Sequence, residues 1–208
     1  MSYGTLEEKE AGYKGTAAKL ITQYTKGAGF GMAPAITPGS LFTGRFEFQA
    51  VTDPKEQLKL TKFGISYTKK PLYFKGAFKY KAGDNFVDGS DKNDVKENTG
   101  DKDQCGIYAL LYEATNEKEE EVILDGNTIT NSEYRVAIAQ IKDGSDTEDK
   151  WVEFNEAFTY FEGKVYDSSK KYKMAIVCSS SKAGDSFKGA VNSTLFVDEL
   201  EILSLIHI

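Results

Sequence analysis

Apolar residues recur along this chain mainly at every second position. Between Leu41 and Val51, Phe42, Phe46, Phe48 and Ala50 share one phase, with Arg45, Glu47 and Gln49 in the other. Leu72–Lys81 repeats the pattern, setting Phe74, Phe78 and Tyr80 against Tyr73, Lys75, Lys79 and Lys81. In Trp151–Phe161, Val152, Phe154, Phe158 and Tyr160 fall inward and Trp151, Glu153, Asn155 and Thr159 outward. Side chains alternate across a strand, so this spacing predicts strands with one buried face. Further strands are expected at Lys19–Tyr24, Cys105–Ala114, Val122–Leu124, Tyr134–Lys142, Tyr172–Ser179 and Thr194–Leu203. Ile107–Leu111 and Val136–Ile141 are apolar in both phases, which places them centrally. No stretch carries a helical stripe with caps. Nine or ten short strands separated by Gly, Asp, Asn and Ser loops predict an all-β, two-sheet antiparallel sandwich in one domain over 12–203. A flexible segment is expected over 1–11 and a tail over 204–208.

Composition narrows the classes of partner. The 208 residues hold 26 basic and 32 acidic side chains, a net charge of −6. That balance argues against a nucleic acid or an anionic membrane surface as partner, since both are held mainly by basic surface. The longest apolar runs, such as Met174–Cys178, are far too short to span a bilayer. Met1–Gly15 is polar and lacks the apolar stretch of an export signal, so the chain is either cytoplasmic or lacks its leader. The LSLIHI ending resembles translated adapter read-through and contains His207, the only histidine. Histidine triads and histidine metal sites are thereby excluded. Cys105 and Cys178 are expected as buried free thiols; their spacing fits neither a CxxC pair nor a zinc knuckle.

Asp84–Asp103 carries seven acids among three lysines. No register gives the EF-hand pattern with its twelfth-position glutamate, so a solvated hairpin connection is expected. Asp125-Gly126-Asn127 reads as a turn.

The run SSSKAGDSFKGAVNSTLFVDEL at Ser179–Leu200 resembles the hallmark of the PCMD carbohydrate-metabolism domain of Bacteroidetes lipoproteins. Leu41–Phe46, Phe63–Pro71, Phe74–Gly83 and Asp103–Tyr112 are similar to upstream segments of that family, so the likeness covers most of Gly15–Leu203. It implies a jelly roll similar to non-catalytic carbohydrate-binding modules, with export to the cell envelope, a glycan-utilisation context and often an upstream β-domain. The export signal is then expected to have been lost from this chain.

Several residues are candidates for the chemistry. Asp198 is read in the inward phase with Phe196, Leu200 and Ile202, where a carboxylate needs a metal or strong donors. A structural Ca2+, as in many carbohydrate-binding jelly rolls, and hydrogen bonds from backbone or Ser/Thr donors are the two readings. Trp151 shares the outward phase with Glu153 and Asn155, the residue types that stack on sugar rings and bond their hydroxyls. Tyr67 and Tyr73 are weaker stacking candidates. Ser179, Ser180 and Ser181 lack a base to activate them, so their loop is expected to turn tightly with Asp185 capping backbone donors; a role for Asp185 in saccharide binding stays open. Glu47 and Glu153 are the one carboxylate pair to inspect for hydrolysis. The expected function is non-catalytic binding of neutral or acidic polysaccharide or oligosaccharide. A glycan hydrolase or lyase acting through surface carboxylates is the alternative, and a structural adhesion domain the third.

Overall fold

The computed structural model describes residues 5–8, 12–28, 33–49, 51 and 53–205; Ala50 and His207 lie outside the described residues. The first strands are β1 (Thr5–Glu8), β2 (Ala17–Ile21), β3 (Gln23–Tyr24), β4 (Ile36–Thr37), β5 (Ser40–Phe42) and β6 (Gly44–Phe46). A one-turn helix α1 (Pro54–Leu58) leads into β7 (Thr61–Phe63), β8 (Ile65–Tyr67), β9 (Lys70–Lys81) and β10 (Asn85–Asp88). Then come β11 (Gly106–Glu113), β12 (Arg135–Gln140), β13 (Val152–Ala157), β14 (Thr159–Tyr160), β15 (Tyr172–Ser179), β16 (Lys188–Val191) and β17 (Thr194–Leu205).

Two antiparallel sheets stack face to face as a jelly-roll sandwich. Sheet A runs β1-β2-β17-β9-β13, and sheet B runs β14-β12-β11-β15-β5 with β8 also paired to β15. The chain repeatedly crosses between them. The predicted strand Trp151–Phe161 is in fact β13 of sheet A and β14 of sheet B, with buried Phe158 at the crossing. Thr5–Glu8 pairs with β2, and β17 continues to Leu205 beside Lys70, so strand pairing extends past 12 and 203 at both ends.

Leu20, Phe74, Phe78, Tyr80, Phe154, Leu195 and Val197 of sheet A meet Ile107, Ala109, Leu111, Val136, Met174 and Cys178 of sheet B in the core. A second cluster explains why β11 is apolar in both phases. Leu110, Tyr112, Ala175 and Val177 on the outer face of sheet B are covered by Val122, Leu124, Ile129, Phe42 and Phe63. Lys173 ties this cover down, its Nζ donating to Glu121 (2.7 Å) and to the Val122 carbonyl (3.0 Å). Residues 122–124 thus form a cover with one bridge, Leu124 to Phe63, in place of the expected strand. Cys105 and Cys178 are buried free thiols, and burial pushes Cys178 up to about 12.

The phase expected for Leu41–Val51 is corrected. The strand stops at Phe42, and the chain restarts at Gly44 as β6, paired only with β7. Gly44 takes φ 145°, and a Cβ there would meet the Lys62 carbonyl oxygen at 2.1 Å. Among the described residues nothing covers that face of the ribbon, and Phe46 and Phe48 are 57% and 87% exposed. Val152, expected inward, lies at the edge of sheet A and stays 40% exposed. Helix α1 was not expected; Asp53 caps it by accepting from the Lys55 N–H (2.9 Å), and one turn is too short to show a stripe.

The acidic segment divides in two. Asp91, Asp94 and Asp101 are exposed as expected, but 85–88 forms β10 against β16 and Asp103 is buried. Lys188 Nζ reaches Asp88 Oδ2 at 2.7 Å across that pair. The Lys188 and Ser90 hydrogen bonds hold the Asp88 carboxyl down at about 2. A carboxyl lowered in the folded state adds stability that is complete above its unfolded value of about 3.9 and is lost as pH falls through the folded one. Asp88→Asn is therefore expected to lower Tm at pH 7, with the gap to the parent closing as pH falls from about 4 to 2 in a melting series.

Candidate functional site

Outward residues of β17, β9 and β13 line up in rows across the outer face of sheet A. Glu201, Lys75 and Asn155 form one row, and Asp198, Ala77 and Glu153 the next. Phe196 lies opposite Lys79 in the third, beside Trp151. Ala77 is buried although it faces outward, because the segment at Tyr13–Lys14 lies over these rows. The Tyr13 hydroxyl donates to Glu153 Oε1, a bond that, together with that carboxylate's charge, raises the phenol's pKa. Tyr13 also tilts against Trp151 at 5.9 Å between ring centroids, and Phe196 meets Trp151 edge-on at 6.5 Å.

Between these groups lies an open groove of about 480 Å³, with Ala77 and Gly76 at its floor and Tyr13, Lys14, Lys75, Glu153, Asn155, Glu199 and Glu201 around it. Lys14 Nζ reaches Glu199 at 3.3 Å and Lys75 Nζ reaches Glu201 at 2.8 Å. Glu153 and Glu199 stand on strands either side of β9, about 10 Å apart at the backbone by two inter-strand spacings. Tyr73, 42% exposed, sits on the same face further along β9, about 20 Å from Trp151 at 3.3 Å per residue. Trp151, Glu153, Asn155 and Tyr73 therefore share one face.

The remaining candidates fall elsewhere. Tyr67 packs against the core rather than standing on a surface. Asp185 is exposed on the 3-10 turn Gly184–Ser186, where it accepts from Ser186 Oγ (3.3 Å) and caps no backbone donor. It lies near sheet B: burial first, and then the Asp185 charge, push up the Tyr108 hydroxyl of β11. Glu47 pairs with Arg45 at the β6–β7 ribbon, whose Phe63 packs on the outer face of sheet B, so Glu47 and Glu153 do not meet.

Asp198 does not face the core. Leu195 and Val197 point inward, Phe196 and Asp198 outward. A bulge after Asp198, with Glu199 at φ 53°, shifts the register so that Leu200 and Ile202 point inward again. Asp198 Oδ2 accepts from the Lys14 N–H and Oδ1 from the Glu199 N–H, each at 2.8 Å. Among the described residues no three His, Cys, Asp or Glu side chains gather as a metal site.

Among the described residues the buried acid is Asp103, missed because it ends a run of solvated acids. Its Oδ2 accepts from Ser181 Oγ (2.6 Å), the Ala190 N–H (2.7 Å) and Ser193 Oγ (2.7 Å), and its Oδ1 from the Gln104 N–H (2.8 Å). Thr22 Oγ1 hydrogen-bonds both Ser180 (2.7 Å) and Ser181 (2.6 Å), and Ser180 Oγ accepts from the Gly39 N–H (2.9 Å). A Cβ at Gly189 would meet Ser181 Oγ at 2.3 Å. Ser181, Ser193 and the backbone after Gly189 thus close around one carboxylate, with Ser180 and Thr22 bonded behind them. They form a buried lock, not a nucleophile site.

A jelly roll with an aromatic-walled polar groove on one sheet face has the build of a carbohydrate-related β-sandwich domain. The chain belongs to the family described as Putative carbohydrate metabolism domain, which it matches over residues 1–203. It is similar to a crystal structure of a putative glycoside hydrolase from Bacteroides thetaiotaomicron, at 37% identity and TM-score 0.85 over 99% of this chain and 58% of that one. A second, named as a putative glycoside hydrolase from Bacteroides vulgatus, shares 33% identity and a TM-score of 0.80 over 97% of this chain and 78% of that one. This chain thus spans well under two thirds of the first of these proteins. No curated protein matches the sequence. Among the described residues no helix is long and apolar enough to cross a membrane.

Proposed function

We propose that the outer face of sheet A binds a polysaccharide or oligosaccharide without cleaving it. The observation that carries this reading is Trp151, held half-exposed between Tyr13 and Phe196 beside a groove edged by Glu153 and Asn155. Indole and phenol faces stack on the C–H faces of sugar rings, and carboxylate and amide groups bond their hydroxyls. Tyr73 extends the same face. The Bacteroides relatives support a place in the cell envelope, with a lipid anchor and an adjoining β-domain as part of the same reading.

The test is a glycan screen of the purified domain, followed by affinity electrophoresis in the polymers that bind. Trp151→Ala is expected to abolish retardation while Tm falls by only a few degrees. A large loss of Tm, or unchanged retardation, would remove this face as the site. Run with calcium and with chelator, the same screen is expected to give equal binding, since N–H donors already bond both Asp198 oxygens.

A second reading is glycoside hydrolysis, favoured by two carboxylates, Glu153 and Glu199, that line the groove from strands either side of β9, as the two-carboxylate mechanisms require. Release of reducing ends that Glu153→Gln abolishes would establish it over binding alone.

A further inference from the structure

We infer that this groove, read as the glycan site above, selects by charge: it takes uncharged or cationic saccharide and turns away chains that carry uronate or sulfate. The inference rests on the glycan-binding reading and follows from how the charges around Ala77 are paired. Two cations line the groove, and each is already matched: Lys14 by Glu199 at 3.3 Å and Lys75 by Glu201 at 2.8 Å. Two further carboxylates of the same rows face uncharged partners. Glu153 is bonded by the Tyr13 hydroxyl, and Asp198 by two backbone N–H groups. With Lys19 and Lys79 over the Phe196 ring, and Asp149 paired to Lys79, these rows set five carboxylates against four ammonium groups, an excess of one negative charge.

A saccharide stacked beside Trp151 lies within a few ångströms of Glu153. At that range a like charge on the ligand is repelled appreciably even with water present, and more where stacking displaces water. The chain's overall charge of −6 acts in the same direction on the approach of a polyanion. An uncharged ring loses nothing to this field, and a protonated amino sugar gains from it.

Matched polymers test the inference. Affinity electrophoresis is run in neutral glucan, mannan and xylan, in their carboxymethylated counterparts, and in chitosan. At low salt, retention is expected in at least one neutral polymer and to be at least about tenfold weaker in its carboxymethyl form. The gap should close at about 1 M salt, where the Debye length is about 3 Å. Glu201→Gln, which removes the partner of Lys75, is expected to narrow the ratio between neutral and carboxymethyl retention severalfold at low salt, read as that ratio rather than as retention in either polymer alone. Equal or tighter binding of a carboxymethyl polymer, or a gap that high salt leaves unchanged, would overturn the charge selection with glycan binding intact. No retention in any polymer, or full retention by Trp151→Ala, would overturn the glycan reading itself and the inference with it.

Discussion

Asp103→Ala is expected to destabilise the fold by about 3–5 kcal/mol, the range for removing one partner of a buried charged cluster, a drop in Tm of roughly 6–20 °C for a chain of this size. The carboxylate is buried and accepts four hydrogen bonds, three of them on one oxygen. Alanine leaves two hydroxyls and the Ala190 N–H buried without that acceptor, each at a cost of about 1–3 kcal/mol before relaxation. The damage reaches several elements at once, because the donors come from the ends of β15 and β16 and the turn before β17, and Thr22 follows β2. Asp103→Asn keeps an acceptor but sets an amide NH2 among groups that are themselves donors, so it should fall between parent and alanine. Asp91→Ala, a change to an exposed acid of the same segment, should leave Tm nearly unchanged, and thermal melts of the three variants check the order.

Phe154→Ala is expected to lose about 3 kcal/mol or more and glycan binding with it. Phe154 is the inward rivet of β13, meeting Phe74 edge-on at 5.0 Å and Phe78 at 6.3 Å. It also fills the space over Gly76, where a Cβ would come within 2.9 Å of its ring. β13 is an edge strand held to the sheet by β9 alone, and it carries Glu153 and Asn155 with Trp151 just before it. Without the ring, the strand keeps its hydrogen bonds but loses the anchor that fixes its height against β9. Hydrogen exchange should rise first along 152–157, and retention in the glycan gel should fall. Trp151→Ala separates the two effects, since it removes the stacking ring and leaves the rivet in place.

The sequence made the central strands readable and hid the places where the backbone departs from alternation. β11 and β15 were legible as continuous apolar runs and β9 as a long period-two run, which left no other way to bury Ile107, Met174 and Phe74. Trp151, Glu153 and Asn155 were legible as one outward set for the same reason. Phe46 and Phe48 looked identical to those core phenylalanines, because alternation reports which residues share a face and not whether anything covers it. Asp198 was assigned to the wrong face because a bulge at Glu199 adds a residue without changing composition. Tyr13 and Glu199 were missed as groove residues because the loop that carries one and the bulge that carries the other have no period. Asp103 was hidden by its neighbours: seven acids in a row of loop residues look alike, and only the fold singles out the one that four donors surround.

The Asp103 lock and the groove share no residue. The lock ties together strand ends and turns inside the sandwich, while the groove is drawn from outward side chains of β17, β9 and β13 and the segment before β2. Stability and the groove are thus written in different parts of the chain. Exchanging Trp151, Glu153 or Lys75 leaves every serine and glycine of the lock in place. Substitutions among the outward groove residues therefore leave the buried lock intact, and the scaffold tolerates change on that face more readily than at Asp103.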